Sequence, residues 1–108
     1  VDLIIGSHPH VAQPFETESD GGVTLYSLGN FVSNQRKRYC DGGLVAVIDV
    51  TLAPDGELSY STDIVPVWVM CPDYAILPPE VGDTLRMSAD SRRAYERFMS
   101  DTRELLGI

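Results

Sequence analysis

The sequence predicts an α+β chain in which several short strands precede one C-terminal helix. Two observations carry that reading. Leu44, Ala46, Ile48, Val50 and Leu52 alternate, as do Leu58, Tyr60, Thr62 and Ile64, with Ala53-Pro54-Asp55-Gly56 between the two runs. Alternation is the period of a strand, and Pro followed by Gly is turn chemistry. Further on, Ala94/Tyr95, Phe98/Met99, Thr102 and Leu105/Leu106 recur at three- and four-residue spacing, the period of an amphipathic helix.

Each element follows in order. Val1-Asp2-Leu3-Ile4-Ile5-Gly6 is a short apolar run stopped by glycine, a buried strand. Val11 to Thr17 and Val23 to Leu28 are strand-like, and Glu18-Ser19-Asp20-Gly21-Gly22 between them is a hairpin turn. Gly29-Asn30 breaks the second of these strands, Phe31 belongs to the core, and Ser33 to Gly43 is a polar loop. Leu44 to Leu52 pairs with Glu57 to Val65, and Val45 and Val47 predict that its start is covered on both faces. Pro66, Pro72, Pro78 and Pro79 mark an extended stretch without helix. Trp68 is a packing residue. The final helix is capped by Ser88, has Asp90 in its first turn, and ends before Gly107. Arg92, Arg93, Glu96, Arg97, Asp101 and Glu104 form its wet face.

A chain of 108 residues has room for one domain. Eight Lys and Arg against sixteen Asp and Glu give a formal net charge of −8. That balance argues against nucleic-acid binding and against an electrostatic membrane anchor. No apolar run approaches the ~20 residues of a transmembrane helix. Cys40 and Cys71 have no metal-ligand spacing, which leaves two free thiols or a single bridge. The start at Val1, within a strand and without Met, reads as the edge of a larger protein.

The chemistry concentrates in Ser7-His8-Pro9-His10, which holds both histidines of the chain. Neutral imidazole is the commonest ligand for transition metals, and two on one short loop after a strand can face one point. Pro9 stiffens that loop. Two ligands do not complete a site, and Asp2, Glu16, Glu18 and Asp20 offer no obvious completion. In Ser27-Leu28-Gly29-Asn30-Phe31, Asn30 either presents its amide to a substrate oxygen, as a candidate catalytic residue, or caps its own turn. Arg36-Lys37-Arg38 is either a solvated run or a clamp for a carboxylate-rich polymer or a phosphate, since Arg suits bidentate recognition of both.

Two motifs go further. Asp2-Leu3-Ile4-Ile5-Gly6-Ser7-His8-Pro9-His10-Val11, then Gln13-Pro14, and then Tyr26-Ser27-Leu28-Gly29-Asn30-Phe31-Val32 resemble the C-terminal part of the bacterial capsule-synthesis family, of CapA or poly-γ-glutamate biosynthesis type. The resemblance is sharp over Val1 to about Gln35 and looser through Val69 and the final helix. That family is similar to calcineurin-like metallophosphoesterases, so the resemblance implies part of a four-layer α/β/β/α sandwich around two divalent ions, Mn, Fe or Zn. Gly6-Ser7-His8-Pro9-His10 resembles that superfamily's Gly-His-x-His motif with one residue inserted, which gives His8 and His10 the role of metal ligands. The remaining ligand motifs lie upstream in the superfamily and are not in this sequence. Residues 1–108 then form one partial domain, inert as an isolated piece, whose partners are the N-terminal part of the same domain and an anionic polymer or phosphoester substrate. A hydrolase-like site is one reading. A non-catalytic polymer-handling or assembly component of the capsule machinery is the other, and a plain structural module with an incidental His pair is the third. The resemblance also implies a setting at the cell envelope, with a cytoplasmic one left open.

Overall fold

A computed structural model describes residues 3–17 and 21–108. Val1, Asp2 and the expected turn residues Glu18, Ser19 and Asp20 lie outside the described residues. The chain runs β1 (Leu3–Ile5), β2 (Phe15–Thr17), β3 (Val23–Leu25), β4 (Gly42–Leu52), β5 (Leu58–Met70), β6 (Ala75–Leu77), α1 (Pro79–Gly82) and α2 (Ala89–Leu106). It is an α+β arrangement of strands and a closing helix, as the sequence predicts, and the strands form two three-stranded sheets.

The first sheet has the order β1-β3-β2. β1 runs parallel to β3, with Leu3 beside Val23 and Ile5 beside Leu25. β2 and β3 form the expected hairpin, Phe15 opposite Leu25 and Thr17 opposite Val23. Its ladder is interrupted at Pro14 and Tyr26 and resumes in the same register, where Gln13 donates to the Ser27 carbonyl and Ala12 bridges to Leu28. The two long strands expected over residues 11–17 and 23–28 are therefore short strands plus isolated bridges.

The second sheet has the order β4-β5-β6. β4 and β5 pair from Gly42 opposite Trp68 to Leu52 opposite Leu58, around the turn that the sequence marks. Pro66 sits within β5 instead of ending it. Its partner Leu44 turns its N–H away, to the Leu28 carbonyl, so the pair at Pro66 is a non-bonded one. The missing N–H of Pro66 points where β6 has already ended at Leu77, and it costs no ladder bond. α1 is a second departure from the extended reading. It opens on Pro79, a position where the absent N–H would have had no helical partner.

The core lies where α2 covers this sheet. Trp68, Leu77, Tyr95, Phe98 and Met99 form one buried cluster. Trp68 meets Tyr95 edge to face at 5.9 Å between ring centres, and its indole N–H donates to the buried Asp41 at 2.8 Å. The Tyr95 hydroxyl donates to Asp83 at 2.7 Å; burial first, and that bond second, push its pKa up to about 12. α2 starts where Ser88 Oγ accepts from the Ser91 N–H and ends at Gly107, whose φ of 72° is left-handed, as expected. Arg92 leaves the wet face assigned to it. It donates to the carbonyls of Gly82 and Leu85 and lies over the Tyr95 ring, so it ties α2 to the end of α1.

The molecule measures 54 × 27 × 24 Å. The length comes from the far half of the β4–β5 ladder, which projects beyond the helix with Val47, Val50, Leu52 and Leu58 exposed. Cover on both faces therefore stops short of Val47. No helix among the described residues is long and apolar enough to cross a membrane.

Candidate functional site

The site begins where β1 stops. Gly6 donates its N–H to the Leu25 carbonyl at 2.6 Å, and a Cβ there would collide with the Tyr26 carbonyl oxygen. Only glycine lets the chain pass this close to β3. The exposed loop Ser7–His10 follows. His8 has φ of 124° and His10 has φ of 61°. Side-chain-bearing residues occupy this region at a cost of order 1–3 kcal/mol each, and such strain clusters at ligand sites. The two rings lie 6.4 Å apart, centre to centre, with planes tilted by 41°.

Asn30 comes from beyond the carboxyl end of β3, the neighbour of β1, so both pieces of the site share one end of the parallel pair. Its backbone N–H donates to the Gly42 carbonyl at 3.0 Å, and Gly29 bridges to Gly43. A Cβ on Gly43 would meet the Asn30 carbonyl oxygen at 2.5 Å and the Leu28 carbonyl oxygen at 2.6 Å. The bare backbone at Gly43 is what lets this segment lie against β4. The Asn30 side chain is 8% exposed. Its Oδ1 is 2.9 Å from His10 Nδ1, and its Nδ2 donates to Gln35 Oε1 at 2.6 Å and to the Cys40 carbonyl at 2.7 Å. All three bonds are to the protein itself. Gln35 and the Cys40 carbonyl were not among the residues singled out from sequence. Nothing local marks them, because they acquire meaning only when the loop folds back.

Phe31, expected in the core, is 55% exposed. The basic triplet divides three ways. Arg36 donates to the carbonyls of Val69 and Ser33. Arg38 makes a two-pronged contact with Asp101 of α2, at 2.9 and 2.8 Å, and stacks on Tyr39. That guanidinium holds the Asp101 carboxyl below the usual carboxylate range. Lys37 is exposed. Cys40 and Cys71 are half-buried free thiols. A groove of 470 Å³ lies between Val11, Ala12 and Tyr39 on one side and Phe98, Asp101 and Leu105 on the other; it contains neither histidine nor Asn30.

The donor chemistry fits part of a transition-metal site. Imidazole nitrogen suits Zn, Fe and similar ions. Two imidazoles on one tetrahedral ion would have ring centres about 5 Å apart, given metal–nitrogen bonds of about 2 Å. The His8 and His10 rings, at 6.4 Å, are wider apart than that. No group of three or more His, Cys, Asp or Glu that could hold an ion occurs among the described residues.

Comparison with known proteins bears on the same residues. Residues 1–35 match the bacterial capsule synthesis protein PGA_cap family. Over 34 residues the chain is 56% identical to the PGA biosynthesis protein CapA of Bacillus subtilis, covering 32% of this chain and 9% of that protein. It is 53% identical over 34 residues to the capsule biosynthesis protein CapA of Bacillus anthracis, covering 32% of this chain and 8% of that protein. The chain thus spans about a tenth of the length of the curated relatives it matches. No solved structure matches it. The likeness expected from the two motifs is borne out over the segment that holds both histidines and Asn30.

Proposed function

Starting from a capsule-synthesis sequence of CapA type in residues 1–35, we propose that this chain supplies part of a metal-dependent phosphoesterase-like hydrolase site in a capsule or poly-γ-glutamate biosynthesis protein. One observation carries the reading. His8 and His10 share a strained loop at the end of β1, and the buried Asn30 is bonded to the second of them. His8 and His10 would be ligands to a divalent ion, Mn, Fe or Zn, with a second ion and the other ligands supplied from elsewhere in the same layered sandwich. A bound ion of this kind makes a nucleophile of its water at neutral pH and polarises a phosphoryl oxygen. The chain's own residues do the positioning. Gly6 and Pro9 fix the path of the loop, and Asn30 holds the ring of His10. Lys37 is exposed and would meet an anionic polymer or phosphoester, whereas Arg36 and Arg38, also exposed, bind the loop to β5 and α2. On this reading two imidazoles alone bind metal weakly, and the isolated segment is inert. The envelope setting rests on the same likeness.

Elemental analysis of a full-length protein carrying this segment tests the reading, with His8→Ala and His10→Ala compared against the parent. Each substitution is expected to lower bound metal, and unchanged content in both would reject it. The names of the relatives describe a biosynthetic pathway, which favours a second reading, a non-catalytic polymer-handling component. A full-length protein that binds polyglutamate and hydrolyses no phosphoester would support that second reading.

A further inference from the structure

The hydrogen bonds around Asn30 have a direction that can be worked out from one end. The Cys40 backbone carbonyl lies 2.7 Å from one terminal atom of the Asn30 amide. A carbonyl oxygen only accepts, so that atom is the NH2 nitrogen, although the two ends of an amide are otherwise nearly interchangeable in shape. The second N–H of the same nitrogen goes to Gln35 Oε1 at 2.6 Å. Oδ1 therefore faces His10 Nδ1, at 2.9 Å. An amide oxygen also only accepts, so the hydrogen between them belongs to the histidine. A neutral His10 then carries its proton on Nδ1 and its lone pair on Nε2.

We propose that Asn30 is a positioning residue that holds His10 as the Nδ1–H tautomer, with Nε2 left as the donor for a metal ion. The ligand role of Nε2 rests on the function proposed above; the tautomer does not. Three features make Asn30 fit for this. It is nearly buried while the ring it holds is exposed, so its amide does not exchange partners with water. Its backbone is fixed to Gly42, which limits how far the amide can move. Both hydrogens of its nitrogen are engaged, so reversing the amide would set its oxygen against the Cys40 carbonyl at a cost of order 1–3 kcal/mol. A histidine side chain free in water favours the opposite tautomer, with the proton on Nε2, and that form would offer the metal no lone pair at the outward nitrogen. Metal-bound histidines are commonly set by such a partner on the second ring nitrogen.

Long-range proton–nitrogen NMR spectra of the full chain labelled with 15N-histidine test this, above the usual imidazole titration range. His8→Gln assigns the two rings. The expected result is a His10 with Nδ1 protonated and Nε2 bare. Asn30→Ala should shift His10 to the Nε2–H form while the amide signals of β4 and β5 stay in place. Gln35→Ala should leave the tautomer unchanged, because the Cys40 carbonyl alone orients the amide. A parent His10 that is protonated on Nε2 would overturn the proposal, and so would an Asn30→Ala spectrum in which the ring is unaltered. If Asn30→Ala fails to fold, the parent and Gln35→Ala spectra still decide. Lowered metal content in His10→Ala together with an Nε2–H ring in the parent would sink this inference and spare the proposed function; the reverse pair of results would do the opposite.

Discussion

Ile5 and Trp68 both lie on apolar strands, yet Ile5 is 58% exposed and Trp68 is 2% exposed. The contrast sets β1, an exposed edge strand, against the part of the second sheet that α2 covers. The first sheet is made of three-residue strands, and its loop holds two histidines in left-handed backbone. The second sheet has strands of 11 and 13 residues and carries α2 on one face. Burial of apolar surface is the main stabilising term in folding, so the second region supplies most of what holds the chain and the first spends it on strain. The similarity to capsule-synthesis proteins falls on the first region, over residues 1–35. Likeness here takes in the histidines and Asn30 and leaves out the Trp68 cluster under α2.

Three experiments would break or sharpen that comparison. The largest effect belongs to Trp68→Ala. It opens a cavity beside Tyr95 and leaves Asp41 without its indole partner, at about 3–5 kcal/mol. Ile5→Ala on the opposite sheet should cost about 0.5 kcal/mol or less. Urea midpoints of the two variants give the difference directly, and equal shifts would dissolve the distinction between the regions. Next comes Gly43→Ala, which tests the seam between them. The added methyl would press on the carbonyls of Asn30 and Leu28, with an expected loss of about 1–3 kcal/mol. The same variant should disturb the His10 ring signals in NMR, whereas Trp68→Ala under folding conditions should not. The smallest effect concerns pH. The Tyr95 proton is held more tightly in the folded chain than in the unfolded one, whose Tyr titrates near 10. The contribution is complete below pH 10 and is lost as pH rises from there to about 12. Tyr95→Phe should flatten this part of the pH–stability curve, measured by thermal melting, and lower stability at neutral pH by about 1 kcal/mol for the lost bond to Asp83.

What the sequence made legible follows from distance along the chain. The β4–β5 hairpin turns within a few residues, and α2 carries its own start and stop at Ser88 and Gly107; local chemistry settles both. The hairpin of β2 and β3 kept its register even where its strands broke, because pairing outlasts ideal strand geometry. The stretch from Pro66 to Pro78 is largely extended, as the prolines imply, but the partner strand runs on past Val65 to Met70, because Pro66 occupies a ladder position where no bond is due. Arg92 and Phe31 were misplaced for a related reason. Helical periodicity assigns a face but cannot show that α1 ends nearby with open carbonyls, and an apolar residue after a strand finds a core only if one is there. The His8–His10 pair was visible as a motif. Its contact with Asn30 was not, since it joins residues 20 apart through parallel strands and a glycine-lined seam.

The projecting ladder gives the net charge a place. Between Tyr39 and Leu85 there are eight acidic residues and no Lys or Arg, so this stretch alone accounts for the chain's −8 while the remainder balances. Asp49, Asp55, Glu57 and Asp63 fall on the far part of that ladder, beside exposed Val50, Leu52 and Leu58. An open strand edge with apolar side chains is a template for sticking to another copy of itself. Two such arms brought together would set like charge against like charge. The acidity that first described the whole chain thus gathers on one projecting arm, where like charge opposes self-association.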